Sequence, residues 1–190
     1  MGKVLILKND RVGDFITSIK SINLILNKHR SQEIIIFLSK INYKFNFIFS
    51  DLKFNIFNYD LKFLEKIKII FYLFINNVSD VYILAPKNFY YYLPLIFRNI
   101  RFHAICIESE KSRPSKFLRK FLYKKGTLFR SNKKKILSVY KVLENLIDYN
   151  EKTKNFVKLE FEKFDFFKFP KNSTYFHYKH NLFHDKLTWS

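Results

Sequence analysis

The stretch KVLILKNDRVGDFITSIKSINLILNKH, Lys3 to His29, contains two hydrophobic periods separated by a polar turn. Val4 to Leu7 are continuously apolar, which suits a strand buried on both faces of a parallel sheet. From Phe15 the spacing changes, and Phe15, Ile19, Ile22 and Leu26 recur at helical intervals, with Lys20, Asn23 and Asn27 between them. Lys28-His29-Arg30 supply a cationic helix end. Glu33 to Leu38, EIIIFL, then reads as a second buried strand and completes a right-handed βαβ unit.

The alternation continues along the chain. Lys53 to Phe57 reads as a strand, Leu61 to Ile75 as a helix, Asp80 to Ala85 as a strand, Asn88 to Phe97 as a helix opened by Asn88, and FHAICI at Phe102 to Ile107 as a strand. Lys133 to Tyr149 reads as a helix with Ile136, Tyr140, Leu143 and Ile147 on one face. Repeated βα units predict an open, mostly parallel α/β sheet with helices on both faces. After residue 150 charged and apolar residues alternate as far as Pro170, which reads as a linker over 151–170, and 171–190 could begin a further strand.

The chain of 190 residues, 48% of them hydrophobic, is long enough to bury a core, which excludes a disordered protein. Its net charge of +19 points to phosphates, acidic glycans, anionic lipid or nucleic acid as partners. Lys, Asn, Ile, Phe and Tyr are all encoded by AT-rich codons, a source for scattered lysines though not for clustered ones. The single cysteine, Cys106, lies in an apolar run, so a disulfide framework is excluded and a reducing compartment fits. The longest apolar stretch, Ile69 to Ile75, is far shorter than a spanning helix, and no signal-peptide core follows Lys3. The expectation is a cytoplasmic protein with peripheral contact at the inner face of the cell membrane.

Gly13-Asp14 falls at the turn between the first strand and its helix, at the carboxyl edge where open α/β sheets place ligands. Asp14 has two readings: a helix cap whose carboxylate accepts backbone N–H bonds, or a general base at the mouth of the sheet. A dinucleotide fingerprint fails for want of spaced glycines, and a P-loop fails for want of Gly-Lys-Ser/Thr.

The strand, the loop ending Arg11-Val12-Gly13-Asp14 and the helix after it resemble the N-terminus of the lipopolysaccharide heptosyltransferases, glycosyltransferase family nine. That resemblance implies two Rossmann-like domains, here 1–150 for an acceptor and a truncated start of the donor domain at 171–190. It implies inverting sugar transfer from a nucleotide-diphosphate sugar to a lipopolysaccharide-like acceptor, with Asp14 as base and Arg11 and Gly13 in the acceptor loop. The tail YFHYKHNLFHDKLTWS resembles the opening of the family's donor domain, with His177 in its loop and Lys186 implied as the donor-phosphate contact, although Leu187 and Thr188 separate Lys186 from Trp189. On this reading the chain alone is an inactive part of the enzyme, because the donor pocket cannot form.

His177, His180, His184 and Asp185 have spacings that suggest zinc, but a chain end offers no preorganised site, so neither metal nor cofactor is expected. The competing function is a non-catalytic basic module for anionic membrane or nucleic acid. Zinc-finger and RNP-type signatures are missing, which weakens nucleic acid as partner. Between Lys111 and Lys135 there are 11 Lys and Arg and no acid, and Phe117, Leu118, Phe121 and Leu122 are expected on one face of a basic helix. Replacing Lys133, Lys134 and Lys135 by Gln is therefore expected to weaken co-sedimentation with anionic vesicles, and salt to do the same to the native chain. Equal binding to neutral and anionic vesicles argues against the basic run as a lipid contact.

Overall fold

The computed structural model describes residues 2–49, 52–108 and 114–129, together with Val142 and Leu146. Its six strands are β1 (Lys3–Lys8), β2 (Ile34–Ser39), β3 (Lys53–Phe57), β4 (Val78–Ile83), β5 (Arg101–Glu108) and β6 (Lys124–Phe129). Their order in the sheet is β3-β2-β1-β4-β5-β6, and every neighbouring pair is parallel. Strand order reverses between β1 and β4, so their carboxyl ends diverge into a crevice, the topological switch point of an open Rossmann-like sheet.

The apolar runs become strands because both faces of the sheet are covered. Leu5, Leu7, Ile35, Phe37, Val81, Ile83, Phe102, Ala104 and Cys106 share one core with Ile69 and Leu73 of helix α3 (Phe63–Ile75). Tyr90, Tyr91, Leu93 and Phe97, from the crossover between β4 and β5, join the same core. On the opposite face α2 (Ile19–Lys28) buries Ile19, Ile22 and Ile25. Each fully buried side chain of this size stabilises the fold by roughly 1.5–3 kcal/mol.

Several local expectations need correction. The first helix is two, α1 (Val12–Ile16) and α2, because the hydroxyls of Thr17 and Ser18 both donate to the carbonyl of Asp14, at 3.1 and 2.7 Å, and divert it from the helical ladder. Within α2, Asn23 is buried and Leu26 only half-buried. The segment expected as a helix from Asn88 to Phe97 is a 3-10 helix, Asn88–Tyr92, followed by a short α4 (Leu93–Ile96), and Asn88 is not its cap. Pro94 explains the change, since it lacks an N–H and its ring crowds the carbonyl four residues back.

The basic amphipathic helix around Phe117 is replaced by a 3-10 turn, Leu118–Phe121, and then by β6. Leu118 and Leu122 enter the core while Phe117 stays exposed, so the four apolar residues share no face. Asn42–Phe49, given no assignment by periodicity, forms 3-10 helix kinked at Phe45. Val142 and Leu146 are helical and buried against Gly126 of β6, where a Cβ would collide with Val142 Cγ1. The stripe Ile136, Tyr140, Leu143 and Ile147, the linker 151–170 and the segment 171–190 lie outside the described residues.

Toward the amino ends of the central strands a buried polar network spans the sheet. Asp80 accepts from Arg101 at 2.6 Å and Ser79 at 2.9 Å and bonds His103 Nε2 at 2.9 Å. His103 stacks on Tyr82, whose hydroxyl lies 2.8 Å from His29 Nε2. Burial pulls the Asp80 carboxyl upward, but its bonds to His103, Arg101 and Ser79 hold it far below its ordinary value. A carboxylate lowered by folding stabilises the native state above the ordinary range, near pH 4, and that contribution fades as pH falls. Asp80→Asn is expected to cost about 2–3 kcal/mol at neutral pH, with the deficit shrinking below about pH 4. Urea unfolding at several pH values measures it; a pH-independent deficit contradicts the role assigned to Asp80.

Candidate functional site at the carboxyl edge of the sheet

The polar residues that end β1 are fixed from three directions. Lys8 and Asp10 are both buried and form an ion pair at 2.6 Å. Asn9, also buried, donates to the Asn58 carbonyl beyond β3 at 3.0 Å and accepts from the Tyr90 hydroxyl at 2.6 Å. The Asp10 carbonyl accepts from Ser39, the last residue of β2, at 3.0 Å and from Asn42 at 2.9 Å. The loop that leads into α1 therefore starts from a rigid base.

Burial raises the Asp10 carboxyl above its ordinary value, Lys8 pulls it back, and the charge of Asp14 adds to the rise. Asp10 Oδ1 and Asn42 Oδ1 are buried acceptors with no donor among the described residues. Such atoms in a native fold call for a water, an ion or a ligand hydroxyl.

Arg11 is the extended N-cap of α1, with φ −74° and ψ 158°, and its side chain forms no cap bond. The guanidinium carbon instead lies 6.0 Å from the centre of the Tyr59 ring, and Lys87 Nζ lies 4.1 Å from the same centre while donating to the Tyr59 carbonyl. Burial lowers the Lys87 ammonium, and Asp10 and Asp60 oppose that shift. Arg11, Tyr59 and Lys87 come from the carboxyl ends of β1, β3 and β4, so the pairing spans the switch point.

Gly13 and Asp14 sit in the first turn of α1 and both are exposed. That turn contains no side-chain cap, so the capping role for Asp14 is not adopted. Apart from its chain neighbours and the backbone of α1 itself, no atom of the described residues lies within 4 Å of a Cβ built on Gly13. Packing makes no demand for glycine there, and the open space lies immediately before an exposed carboxylate. Chemically the rim combines a carboxylate, two cations, a tyrosine face and buried acceptors, a mixture that suits a polyhydroxylated ligand with several hydrogen-bonding edges.

Arg11, Gly13 and Asp14 are thus brought to one edge, whereas Lys186 and the histidines 177–184 lie outside the described residues. Lys8, Asp10, Asn42, Tyr59 and Lys87 were not singled out from sequence. A buried lysine closing an apolar run, followed at once by Asn-Asp, was the available signal for the first two; Tyr59 and Lys87 reach the site only through the sheet order. Among the described residues no group of three His, Cys, Asp or Glu is placed to hold a metal ion.

Searches for known relatives found no matching family model, no matching curated protein and no matching solved structure.

Gly13→Ala separates structural from functional need. Alanine at this helical position is expected to leave the melting temperature unchanged or to raise stability by up to about 1 kcal/mol. A clear loss of stability means that the fold itself requires the glycine. Lys8→Met leaves Asp10 buried without its cation and is expected to cost about 3–5 kcal/mol at neutral pH. Because protonation relieves that charge, the cost should diminish as pH falls, and a chemical-denaturation series in the double variant Lys8→Met/Asp10→Asn should recover part of it.

Proposed function

We propose that this chain carries the acceptor side of an inverting glycosyltransferase of heptosyltransferase type, with Asp14 as general base. The observation that carries the reading is the exposed Asp14 carboxylate beside the bare space over Gly13, at the carboxyl edge of β1. The sequence Arg11-Val12-Gly13-Asp14 at this strand-to-helix junction is the part of the chain that resembles glycosyltransferase family nine.

In the proposed reaction an acceptor hydroxyl lies in the space over Gly13. Asp14 takes its proton while the oxygen forms a bond to the anomeric carbon of the donor sugar. The bond from that carbon to the nucleotide diphosphate breaks on the opposite face, so configuration inverts and the electron pair leaves with the diphosphate. The transition state resembles an oxocarbenium ion, as in glycoside hydrolysis. Arg11 and Lys87, held against Tyr59, orient the acceptor and meet its anionic groups. Charge on the leaving diphosphate requires its own cations, and Lys186 is the proposed contact. A lipopolysaccharide core bearing phosphate or acidic sugars matches both the carbohydrate-like rim and the net charge of +19.

Binding of a phosphorylated lipopolysaccharide core oligosaccharide to the chain, followed by NMR, tests the acceptor half directly. Shifts centred on Arg11, Gly13, Asp14, Tyr59 and Lys87 are expected, and Gly13→Val should abolish them in a folded protein. Shifts elsewhere, or none, overturn the site. With a family-nine donor domain supplied, Asp14→Asn should reduce transfer by about 10²–10⁴-fold with the fold intact. Turnover near that of the native residue removes Asp14 as the base.

A further inference from the structure

We infer that the outward face of α3 docks on an anionic lipid bilayer. Of the residues in α3, Ile69 and Leu73 face the core, as a surface helix requires. The opposite side should be polar, but it is not. Phe63 is 74% exposed, Leu64 69%, Phe71 63%, Phe74 67% and Ile75 65%, with Ile67 at 44%. At 100° per residue these six cover about 120° of the helix surface, as wide as the apolar stripe that normally faces a core.

The stripe continues onto the next element. Phe74 meets Phe97 edge-on at 4.8 Å, and beside Phe97 the residues Tyr92 and Ile96 are each about half exposed. Because α3 and α4 cover the same face of the sheet, this surface is a broad layer and not a single ridge. Apolar patches of this kind mark interaction sites.

Charge selects the occupant. Lys62, the N-cap of α3, Lys68 within it and Arg98, next to Phe97, are exposed, and Lys66 lies 5.9 Å from the centre of the Phe89 ring. The single acid of α3, Glu65, is occupied by the backbone N–H groups of Asn58 and Lys62, at 2.8 and 2.9 Å. Burial alone would raise that carboxyl, but these bonds hold it below its ordinary value, so it stays an engaged anion. A second copy would bring another +19 against this basic rim. Nucleic acid would satisfy the lysines and leave six large apolar side chains in water. An anionic bilayer satisfies both, with the stripe at the acyl boundary and the lysines reaching the headgroups. The inference stands apart from the glycosyltransferase reading, since it uses none of Arg11, Gly13, Asp14, Tyr59 and Lys87.

Flotation of the full chain with phosphatidylcholine vesicles, with and without phosphatidylglycerol, is the test. Binding is expected only with phosphatidylglycerol, and Phe63→Ser/Phe71→Ser should weaken it by about tenfold or more, since each exposed phenylalanine loses its burial in lipid. Both positions are exposed, so the thermal transition should be kept. As a milder variant, Phe71→Trp with Trp189→Phe places the only tryptophan on the stripe. Its emission should move to the blue with anionic vesicles and be quenched by brominated lipid. Unchanged emission, or full binding by the serine variant, overturns the inference, including the case in which only replacement of Lys133, Lys134 and Lys135 abolishes binding. Self-association in sedimentation, dispersed by the serine substitutions without lipid, also overturns it and assigns the face to a second copy.

Discussion

The buried pair Lys8–Asp10 is the constraint on which the carboxyl edge depends. β1 lies between two parallel neighbours, so its end has no edge through which to reach water. Two charges placed there are tolerable only together, because the desolvation penalty of each is several kcal/mol and the partner is what offsets it. Asn9, between them, bonds toward β3 and toward Tyr90, while the Asp10 carbonyl is held from β2 by Ser39 and Asn42. Three consecutive residues thus tie together the elements on both sides of the strand. Arg11, Gly13 and Asp14 can stand exposed because the chain immediately before them is immobilised.

The two polar systems of the sheet differ in how far they are satisfied. Near the amino ends, Asp80 has Arg101, Ser79 and His103 as partners, and Tyr82 is bonded to His29, which makes that network part of the scaffold. Among the described residues His103 Nδ1 has no hydrogen-bond partner in this network, and its ring stacks on Tyr82. At the carboxyl edge the orphans are a carboxylate oxygen and an amide oxygen, in a rim that also holds the exposed Arg11, the half-buried Lys87 and a second carboxylate. Incomplete satisfaction at a rim of charged groups is what the proposed acceptor site rests on, whereas the bonded network near the amino ends serves the fold.

How much of this was legible follows from which forces act locally. Val4 to Leu7, Glu33 to Leu38 and Leu61 to Ile75 declare themselves because burial on both faces of a sheet, or along one helix, leaves a contiguous signal. Gly13-Asp14 could be placed at the carboxyl edge for the same reason, since a strand followed by a helix fixes the turn. β6 was missed because KKGTLF has lysines and a glycine where strands favour branched residues, and among the described strands it pairs with β5 alone. Asn42–Phe49 gives no clean period because 3-10 geometry and the kink at Phe45 destroy it. The association of Arg11, Tyr59 and Lys87 was invisible for a different reason. It joins residues 48 and 28 positions apart, and only the order β3-β2-β1-β4 brings their strand ends together.

The helix α3 shows the same limit from the opposite direction. A sequence apolar on nearly every side reads as a helix that is buried all round, and periodicity has no means of telling which part of that surface the sheet will use. The fold uses only the side carrying Ile69 and Leu73. What remains is set by topology: α3 leaves β3 at the carboxyl edge and returns to β4 at the amino edge, so its axis runs along the sheet and its outward face parallels the sheet plane. Phe63 and Leu64 begin this face at the carboxyl edge, the edge at which Arg11 and Asp14 are exposed, and Phe74 and Ile75 end it at the amino edge. The surface that the core leaves uncovered and the edge that carries Arg11 and Asp14 are therefore both placed by topology, which no period in the sequence records.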